Sequence, residues 1–310
     1  MCLKKLYLLL YYNIYNIMKE VKIKNCKIEV PKGTAFTYDT PPEMPSGHML
    51  TACVGKRGSG KTTSLVNLAK KMNYDRIFVI SPTFNSNSAL MNMLNIDPQD
   101  VFDDPDDTTC IDKIKAEIER ERDELLEYQE KMKRWKELMR LIKKSNSTIP
   151  DDLLLEFYDE DDLQKPFHQW GGRRPFMMLV IDDCQGSKLF STKKLDNFTI
   201  RHRHIGDFPD DQPSIGISIA YLCQNYKTRQ GGLSRAIRNN ITNAMFFRNK
   251  DKKELKAIAE EMAGEIDPEL FEQVYEKALI EPHDFLFVDL HRKKHHPSGF
   301  RRNLDTFIVP

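Results

Sequence analysis

This chain of 310 residues lacks a disulfide or zinc-binding cysteine pattern, a membrane-spanning apolar segment and an excess of basic charge. Its six cysteines form no C-x-x-C pair and show no spacing typical of a disulfide framework or zinc ribbon, so we interpret them as reduced thiols of an intracellular protein. The apolar run at residues 6–12 is far shorter than the roughly 20 residues that cross a bilayer, and we therefore do not expect an integral membrane protein. The 47 lysine and arginine residues are balanced by 46 aspartate and glutamate residues, which excludes a globally basic nucleic-acid binder.

The N-terminal residues combine two lysines with a short apolar run. Lys4 and Lys5, followed by the apolar run, resemble the start of a signal peptide, but no small-residue cleavage site follows. We expect residues 1–34 to form an N-terminal extension. Met18 is an alternative start, in which case residues 1–17 do not belong to the native protein, and a peripheral membrane anchor is a weaker alternative.

Short apolar runs alternate with helical patterns from about Leu50 onward. Unbroken apolar strands between helices are typical of an α/β fold in which helices cover both faces of a mainly parallel sheet. We expect one such domain over residues 35–310. The predicted strands are 50–54, 76–81, 176–181, 217–223, 244–247 and 285–290, with helices over 62–72 and 252–262.

A highly charged insertion at 97–166 interrupts this alternation. Residues 111–144 contain neither glycine nor proline, and their apolar positions step by three and four with only Glu121 breaking the heptad register. The pattern predicts a helix of some thirty residues. It is either a hairpin packed on the flank of its own domain or an arm that contacts a partner or another subunit.

The segment after the first predicted strand carries a complete phosphate-binding motif. It reads G-K-R-G-S-G-K-T and fits the pattern G-x-x-x-x-G-K-[ST] at every fixed position. The glycines allow backbone N–H groups to face phosphate oxygens, and the following helix directs its positive end to the same charge. We expect Lys61 to reach the β- and γ-phosphates of ATP and Thr62 to coordinate Mg²⁺. The predicted nucleotide-binding residues are Gly55, Lys56, Arg57, Gly58, Ser59, Gly60, Lys61, Thr62 and Thr63.

Two carboxylates follow the apolar strand at 176–181. Asp182 is suited to the Mg²⁺ side of the site, whereas Asp183 is suited to orienting or deprotonating an attacking water. The plainer interpretation of Asp183 is a solvated turn residue. Gln224, at the end of the next predicted strand, is a candidate sensor of the γ-phosphate, and its plainer interpretation is likewise a strand-end residue.

Competing classes of phosphate-loop proteins fit less well. The string at 249–251 places its aspartate one position too early for the guanine-binding N-K-x-D motif, which disfavours a GTPase. The string at 230–234 only scrambles the LSGGQ signature of an ABC ATPase. The long path from Thr62 to Asp182 indicates an additional strand between the two motifs, and therefore a RecA-like core.

An arginine from a neighbouring subunit promotes hydrolysis in ring ATPases by neutralising charge in the transition state. Arg238 is our candidate for this role, with Arg235 and Arg203 as rivals. A surface arginine or a DNA contact explains Arg238 equally well.

Taken together, these segments resemble the poxvirus-type genome-packaging ATPases of the FtsK/HerA superfamily, which occur in large DNA viruses and virophages. The resemblance covers about residues 49–309 and rests on VGKRGSGKTTSL, MMLVIDDC, RHRH, LCQNY, AIRNNITNAMFF, FLFVDLHRKK and FRRNLDTFIVP. It implies a RecA-like fold, a homo-oligomeric ring of six or sometimes five subunits, and ATP-driven movement of double-stranded DNA into a preformed capsid.

The resemblance also implies a capsid or membrane component at the packaging portal as partner, and a location in the host cytoplasm, the viral factory or the virion. The sequence departs from the family pattern in two respects. Asp183 stands where the family more often has glutamate, and the long helical insertion is not part of the pattern. Two alternatives stay open. One is a related cellular or plasmid DNA translocase, and the other is a nucleotide-dependent scaffold that recruits a capsid or replication partner.

Two local basic runs are candidates for sequence-independent contact with DNA phosphates. The first is 201–204, and the second is 291–296 together with Arg301 and Arg302. The basic residues Lys19, Lys22, Lys24 and Lys27 are a less specific candidate.

Overall fold

The computed structural model describes residues 38–84, 92–144, 148–159, 162–209, 212–227, 232–264 and 266–310. The expected N-terminal extension at 1–34, with its basic residues, lies outside the described residues. Within the part that is described, no helix is both long enough and apolar enough to span a membrane.

Nine strands form the central sheet, and two short strands pair separately. The strands are β1 (Leu50–Val54), β2 (Arg76–Ile80), β3 (Val101–Phe102), β4 (Tyr158–Asp159), β5 (Asp162–Leu163), β6 (Met177–Asp182), β7 (Ser218–Cys223), β8 (Asn243–Phe247), β9 (Phe285–Asp289), β10 (Phe300–Arg302) and β11 (Thr306–Ile308). The helices are α1 (Lys61–Met72), α2 (Cys110–Ile142), α3 (Asp151–Leu155), α4 (Lys188–Ser191), α5 (Lys193–Ile200), α6 (Arg235–Arg238), α7 (Lys252–Met262) and α8 (Pro268–Ala278).

The strand order of the large sheet is β11-β10-β9-β8-β1-β7-β6-β2-β3. Strands β8, β1, β7, β6, β2 and β3 run parallel, whereas β9, β10 and β11 continue the sheet antiparallel. Strand β7 lies between β1 and β6, so an additional strand separates the phosphate loop from the two aspartates. This order confirms the predicted RecA-like α/β core.

Apolar side chains cover both faces of the sheet. Helix α1 buries Leu65, Leu68 and Met72 against one face. Helices α2, α5, α7 and α8 cover the other face, where the apolar side chains of alternate strand positions meet them. Because all five residues of β1 are buried, the loop that follows this strand starts from a fixed position.

Helix α2 confirms the predicted long helix, with 33 residues and a length of about 50 Å at 1.5 Å per residue. Its first half belongs to the main core through Ile111, Ile114 and Ile118. Its second half instead packs Leu138 against α3 and the segment after it, in a small separate cluster with Leu153 and Phe157.

Glu121 does not break the helix register, although the sequence pattern suggested an interruption. Its side chain faces inward and is only 2% exposed. It pairs with Arg76 at the start of β2, and Trp170 Nε1 donates to its other oxygen at 2.7 Å. A charged residue therefore holds an inward position because an arginine from the sheet and an indole N–H satisfy it.

Candidate nucleotide-binding site

The phosphate loop joins the end of β1 to the start of α1. Gly58 and Gly60 have positive φ angles of 76° and 102°, a conformation that glycine adopts without strain. A Cβ on Gly55 would lie 2.6 Å from Ser59 Oγ and 2.7 Å from Phe247 Cβ, so the close approach of the chain at this point requires glycine. The loop has the tight backbone that phosphate binding needs.

Lys61 folds back over this loop. Its Nζ donates to the carbonyl oxygens of Gly55 at 2.8 Å and Lys56 at 3.3 Å. Ser59 Oγ is buried and has no hydrogen-bond partner. Since a buried hydroxyl is normally paired, this oxygen is available for a ligand on the loop.

Strand β6 delivers the two aspartates to the same region. Asp182 is its last residue and is 5% exposed. Burial, reinforced by the negative charge of Asp183, raises the pKa of Asp182 to about 6, and Lys61 opposes this rise. A divalent cation beside Asp182 would therefore favour its charged form.

Asp183 stands just outside the strand. Its φ is 54°, in the left-handed region that is sparsely populated by residues other than glycine and that concentrates at functional sites. The turn directs its carboxylate toward Gln224, whose Nε2 donates to Asp183 Oδ1 at 3.3 Å.

Gln224 follows the last residue of β7 and is exposed. Its backbone N–H donates to Gln185 Oε1 at 2.8 Å, and Gln185 Nε2 donates to the carbonyl of Asn225 at 3.0 Å. These two bonds tie the end of β7 to the turn after β6. The amide and the carboxylate thus face each other across neighbouring strand ends.

One cleft of about 780 Å³ brings most of the predicted site residues together. Gly55 and Lys56 belong to the same loop but do not line this cleft. The lining residues are Arg57, Gly58, Ser59, Gly60, Lys61, Thr62, Thr63, Ser64, Thr83, Asp182, Asp183, Leu222, Gln224 and His283.

The residues present fit a nucleoside triphosphate with Mg²⁺. No group of three or more histidine, cysteine or acidic side chains that could hold a metal occurs in the described part of the chain. Mg²⁺ in nucleotide sites is usually bound by one or two protein ligands together with substrate phosphates, and Thr62 and Asp182 would supply the protein ligands here.

Arg238 lies outside this cleft. Its Nε pairs with Glu261 Oε2 at 3.0 Å, its Nη1 donates to the carbonyl of Leu233 at 2.6 Å, and its guanidinium stands 5.7 Å from the ring centre of Tyr226. Its side chain is only 11% exposed. Arg235, on the same short helix, is exposed.

Two lining residues, Thr83 and His283, carried no signal in the sequence motifs. Thr83 follows β2, the strand beside β6. The His283 Nδ1 lies 3.2 Å from the carbonyl oxygen of Ser59, which is 224 positions away in the chain. Pro282 and His283 form a turn that the sequence indicates before β9. The sequence does not predict that this turn lies beside the phosphate loop, because that position depends on the strand order.

The first basic run is partly buried. His202 is 3% exposed, and its ring nitrogens lie 2.7 Å and 3.1 Å from the carbonyl oxygens of Thr199 and His48. Arg201, Arg203 and His204 are exposed. This run offers three side chains to a polyanion instead of four.

The second basic run is divided: His296 and Arg301 are buried, whereas His291, Arg292, Lys294 and His295 are exposed. Arg301 is 1% exposed and His296 is 3% exposed, so the prediction of a DNA contact by these two side chains is wrong. Lys293 Nζ donates to the carbonyls of Thr40 and Pro41 at 3.2 Å and 2.8 Å. Lys293, His296 and Arg301 instead fasten the segment before β1 to the end of the sheet.

Comparison with solved structures finds similarity over most of the chain. The genome packaging NTPase B204 from Sulfolobus turreted icosahedral virus 2, in complex with ATP-gammaS, is 14% identical, with 82% of this chain and 95% of that chain covered and a TM-score of 0.42. EssC (ATPases 2 and 3) from Geobacillus thermodenitrificans is 17% identical, with coverages of 82% and 38% and a TM-score of 0.40. The pCW3 conjugation coupling protein TcpA is 14% identical, with coverages of 82% and 60% and a TM-score of 0.38.

No family model matches the chain, and no curated protein matches it. The fold of this chain is therefore assigned from the strand order described above and not from these comparisons.

Proposed function

We propose that this protein is a Mg²⁺-dependent ATPase. The observation that carries the proposal is the convergence of the phosphate loop, Asp182, Asp183 and Gln224 on one cleft from the ends of the neighbouring strands β1, β6 and β7. Lys61 binds the phosphates, and Thr62 and Asp182 hold the metal. Asp183 orients or deprotonates the attacking water, and Gln224 senses the γ-phosphate through its contact with Asp183.

The proposal extends to movement of double-stranded DNA into a preformed viral capsid by a homo-oligomeric ring of six or five subunits. The exposed Arg201, Arg203 and His204 support contact with DNA phosphates, and the sequence resemblance supports the ring and its capsid or membrane partner at the portal. The site of action is then the interior of the infected cell or the virion. A related cellular or plasmid DNA translocase would use the same residues.

A nucleotide-dependent scaffold is the second candidate function, and exposed apolar side chains near the far end of α2 favour it. Leu155 is 72% exposed and Phe167 is 88% exposed. Large apolar side chains that face solvent are candidates for contact with a protein partner. In this function, nucleotide binding switches the capture of a capsid or replication protein.

ATP hydrolysis measured with and without linear double-stranded DNA separates the two functions. We expect a DNA-stimulated rate for the wild type that is lost in Lys61→Ala. Hydrolysis that stays indifferent to DNA at low and moderate salt would instead favour the scaffold. Absence of hydrolysis in the wild type under all these conditions would contradict the ATPase itself.

Charge reversal tests the DNA contact separately. Arg201→Glu combined with Arg203→Glu removes two phosphate contacts, and the slope of log affinity against log salt should fall by about 2, since each contact contributes roughly 0.9. Lys133→Glu combined with Lys136→Glu, at two exposed positions of α2, is the matched control and should leave the slope unchanged.

A further inference from the structure

The far half of helix α2 carries an excess of basic side chains. Residues 131–144 contain seven lysine and arginine residues and one glutamate. Two of the seven are paired, Lys131 with Glu127 at 2.7 Å and Arg134 with Glu156 at 2.7 Å. Four of the others are exposed and form no ion pair with any residue that the structure describes: Lys133, Lys136, Arg140 and Lys143.

These four side chains lie in one stripe along α2, which we call the basic stripe. They step by three, four and three residues, so at about 100° per residue they fall within an arc of about 80°. Lys143 is the C-cap residue and has helical backbone angles, so it continues the stripe beyond Ile142. The stripe is about 15 Å long at 1.5 Å per residue. Positive charge that is unpaired over this length fits a negatively charged partner.

Helix α3 packs on the opposite side of the same part of α2. Its Leu153 is buried together with Leu138, which helix geometry places on the side of α2 away from the basic stripe. The outward face of α3 carries Asp151 and Asp152, which are exposed, and Leu155, which is 72% exposed. We call these three residues the acidic face. The arm that α2 and α3 form therefore presents positive charge on one side and negative charge with an apolar side chain on the other.

The basic stripe and the acidic face are complementary, but α2 lies between them and keeps them apart within one chain. A second copy can place its acidic face on the basic stripe of the first. Each of the two copies then still has one free surface, so the contact is head to tail. Contacts of this kind close into a ring or continue as a filament. They would also remove Leu155 from water, which favours association.

From this arrangement we propose that the arm joins copies of this chain head to tail, with the basic stripe of one copy bound to the acidic face of the next. The inference rests on the proposed function only for the ring in which such contacts close. It assigns the charged insertion, which the packaging-ATPase pattern lacks, to contact between subunits. DNA fits the stripe less well, because Glu137, Asp151 and Asp152 belong to the same arm and repel phosphates.

The test measures self-association of the full chain by sedimentation velocity. Arg140→Glu combined with Lys143→Glu should raise the concentration of half-assembly by roughly tenfold or more, because attraction becomes repulsion at two positions. Asp151→Lys combined with Asp152→Lys should act in the same direction. All four changes in one chain place opposite charges across the contact again and should restore assembly. An equal mixture of the two double variants also restores opposite charges and serves if the fourfold variant does not fold.

Two further comparisons isolate the charged contact. High salt should weaken assembly of the wild type, because exposed charges are screened. Lys253→Glu combined with Lys256→Glu is the matched control, since these exposed lysines of α7 have the same spacing as Arg140 and Lys143. This control should leave assembly unchanged.

The outcomes separate the inference from the proposed function. A wild type that stays monomeric, double variants that assemble normally, or a charge swap that restores nothing in folded protein would each overturn the inference. A smaller salt slope of DNA binding in Arg140→Glu with Lys143→Glu, at unchanged assembly, would assign the stripe to DNA instead. ATP binding is measured on the same proteins. Lost assembly with retained ATP binding supports the arm, whereas a wild type that binds no ATP overturns the ATPase and leaves the charge swap to decide the arm.

Discussion

The carboxylate of Asp183 and the amide of Gln224 lie 3.3 Å apart at the ends of two neighbouring strands. Asp183→Asn keeps the size of the side chain and tolerates the left-handed backbone, but it removes the group that would accept a proton from water. We expect ATP affinity to stay within a few-fold and kcat to fall by about 10²–10⁴-fold, the usual contribution of general-base catalysis.

Steady-state hydrolysis together with nucleotide binding would measure this effect. Asp103→Asn, at an exposed position between β3 and α2, is the matched control and should leave kcat unchanged. A kcat for Asp183→Asn within tenfold of the wild type would support the plainer interpretation of Asp183 as a turn residue.

His48 makes the stability of the fold depend on pH. Its Nε2 lies 2.8 Å from the carbonyl of Ile215. Burial is the main cause that lowers the pKa of His48 to about 4. The hydrogen bond to Ile215 opposes this shift, and the nearby His202, Arg203 and His204 contribute to it. Burial also lowers the pKa of His202, although both of its ring nitrogens face carbonyl oxygens.

The sign of the effect follows from proton uptake. Below pH 6.5 the unfolded chain protonates His48, whereas the folded chain does so only near pH 4, so acidification between these values favours unfolding. Each pKa unit of difference corresponds to about 1.4 kcal/mol. We expect urea unfolding at pH 7.5, 6 and 5 to show this loss, with a weaker dependence in His48→Gln. The exposed His291→Gln should retain the wild-type dependence, and an identical pH profile for His48→Gln would rule out His48 as a source.

At the scale of elements, one ion cluster fixes helix α2 to the sheet. Arg76, at the start of β2, binds both oxygens of Asp100 at 2.8 Å and 2.7 Å. It also pairs with Glu117 at 3.0 Å and Glu121 at 3.1 Å on the helix. Asp100 and Glu121 are 3% and 2% exposed, so without Arg76 two buried carboxylates would lose their counter-charge.

Replacement of this arginine should therefore be costly. Arg76→Met should lower the free energy of unfolding by about 3–5 kcal/mol, the usual cost of removing one partner from a buried ion pair. Arg120→Met is the matched control, because Arg120 pairs with the same Glu117 but is half exposed, and its cost should be about 0–1 kcal/mol. Chemical denaturation measures both, and equal costs would contradict a structural role for the buried cluster.

The same helix shows how far local patterns predict this fold. Its length and its inward side follow from glycine-free sequence and apolar periodicity, as the strands follow from apolar runs. Glu121 looked like an interruption because its partner Arg76 is 45 positions away, and spacing along a helix does not report a partner on the sheet. The C-terminal half of the helix differs for another reason. Leu138 is buried there because α3 and the segment after it pack against the helix, which periodicity within the helix does not report.

The candidate site likewise contains residues that local patterns predict and residues that only the strand order brings together. The phosphate loop and the two aspartates lie in short segments with recognisable residue patterns. They could therefore be predicted as candidate site residues from the sequence. His283, Thr83 and the contacts of Arg238 depend on which strands become neighbours. Arg301 and His296 looked like a surface patch because a basic run gives no sign of the carbonyl groups that bury it.

At the scale of the whole molecule, the proposed ring places ATP between subunits, so each site needs an arginine from the next chain. Arg238 is bound to Glu261 and Leu233 of its own chain, and freeing it would cost those bonds. Arg235, three positions earlier and exposed, carries the same charge without that cost. Between these two candidates we expect Arg235 to act across the interface and Arg238 to stabilise the fold.

Mixed rings test this expectation. Lys61→Ala and Arg235→Ala should each be inactive alone, but an equal mixture should regain activity, because about a quarter of the interfaces in a head-to-tail ring combine an intact Lys61 with an intact Arg235. Lys61→Ala mixed with Asp183→Asn is the control and should regain none, since both residues belong to the same subunit's share of the site. Recovery in a mixture with Arg238→Ala but not with Arg235→Ala would reverse the assignment and show that Arg238 leaves its own-chain contacts when the ring assembles.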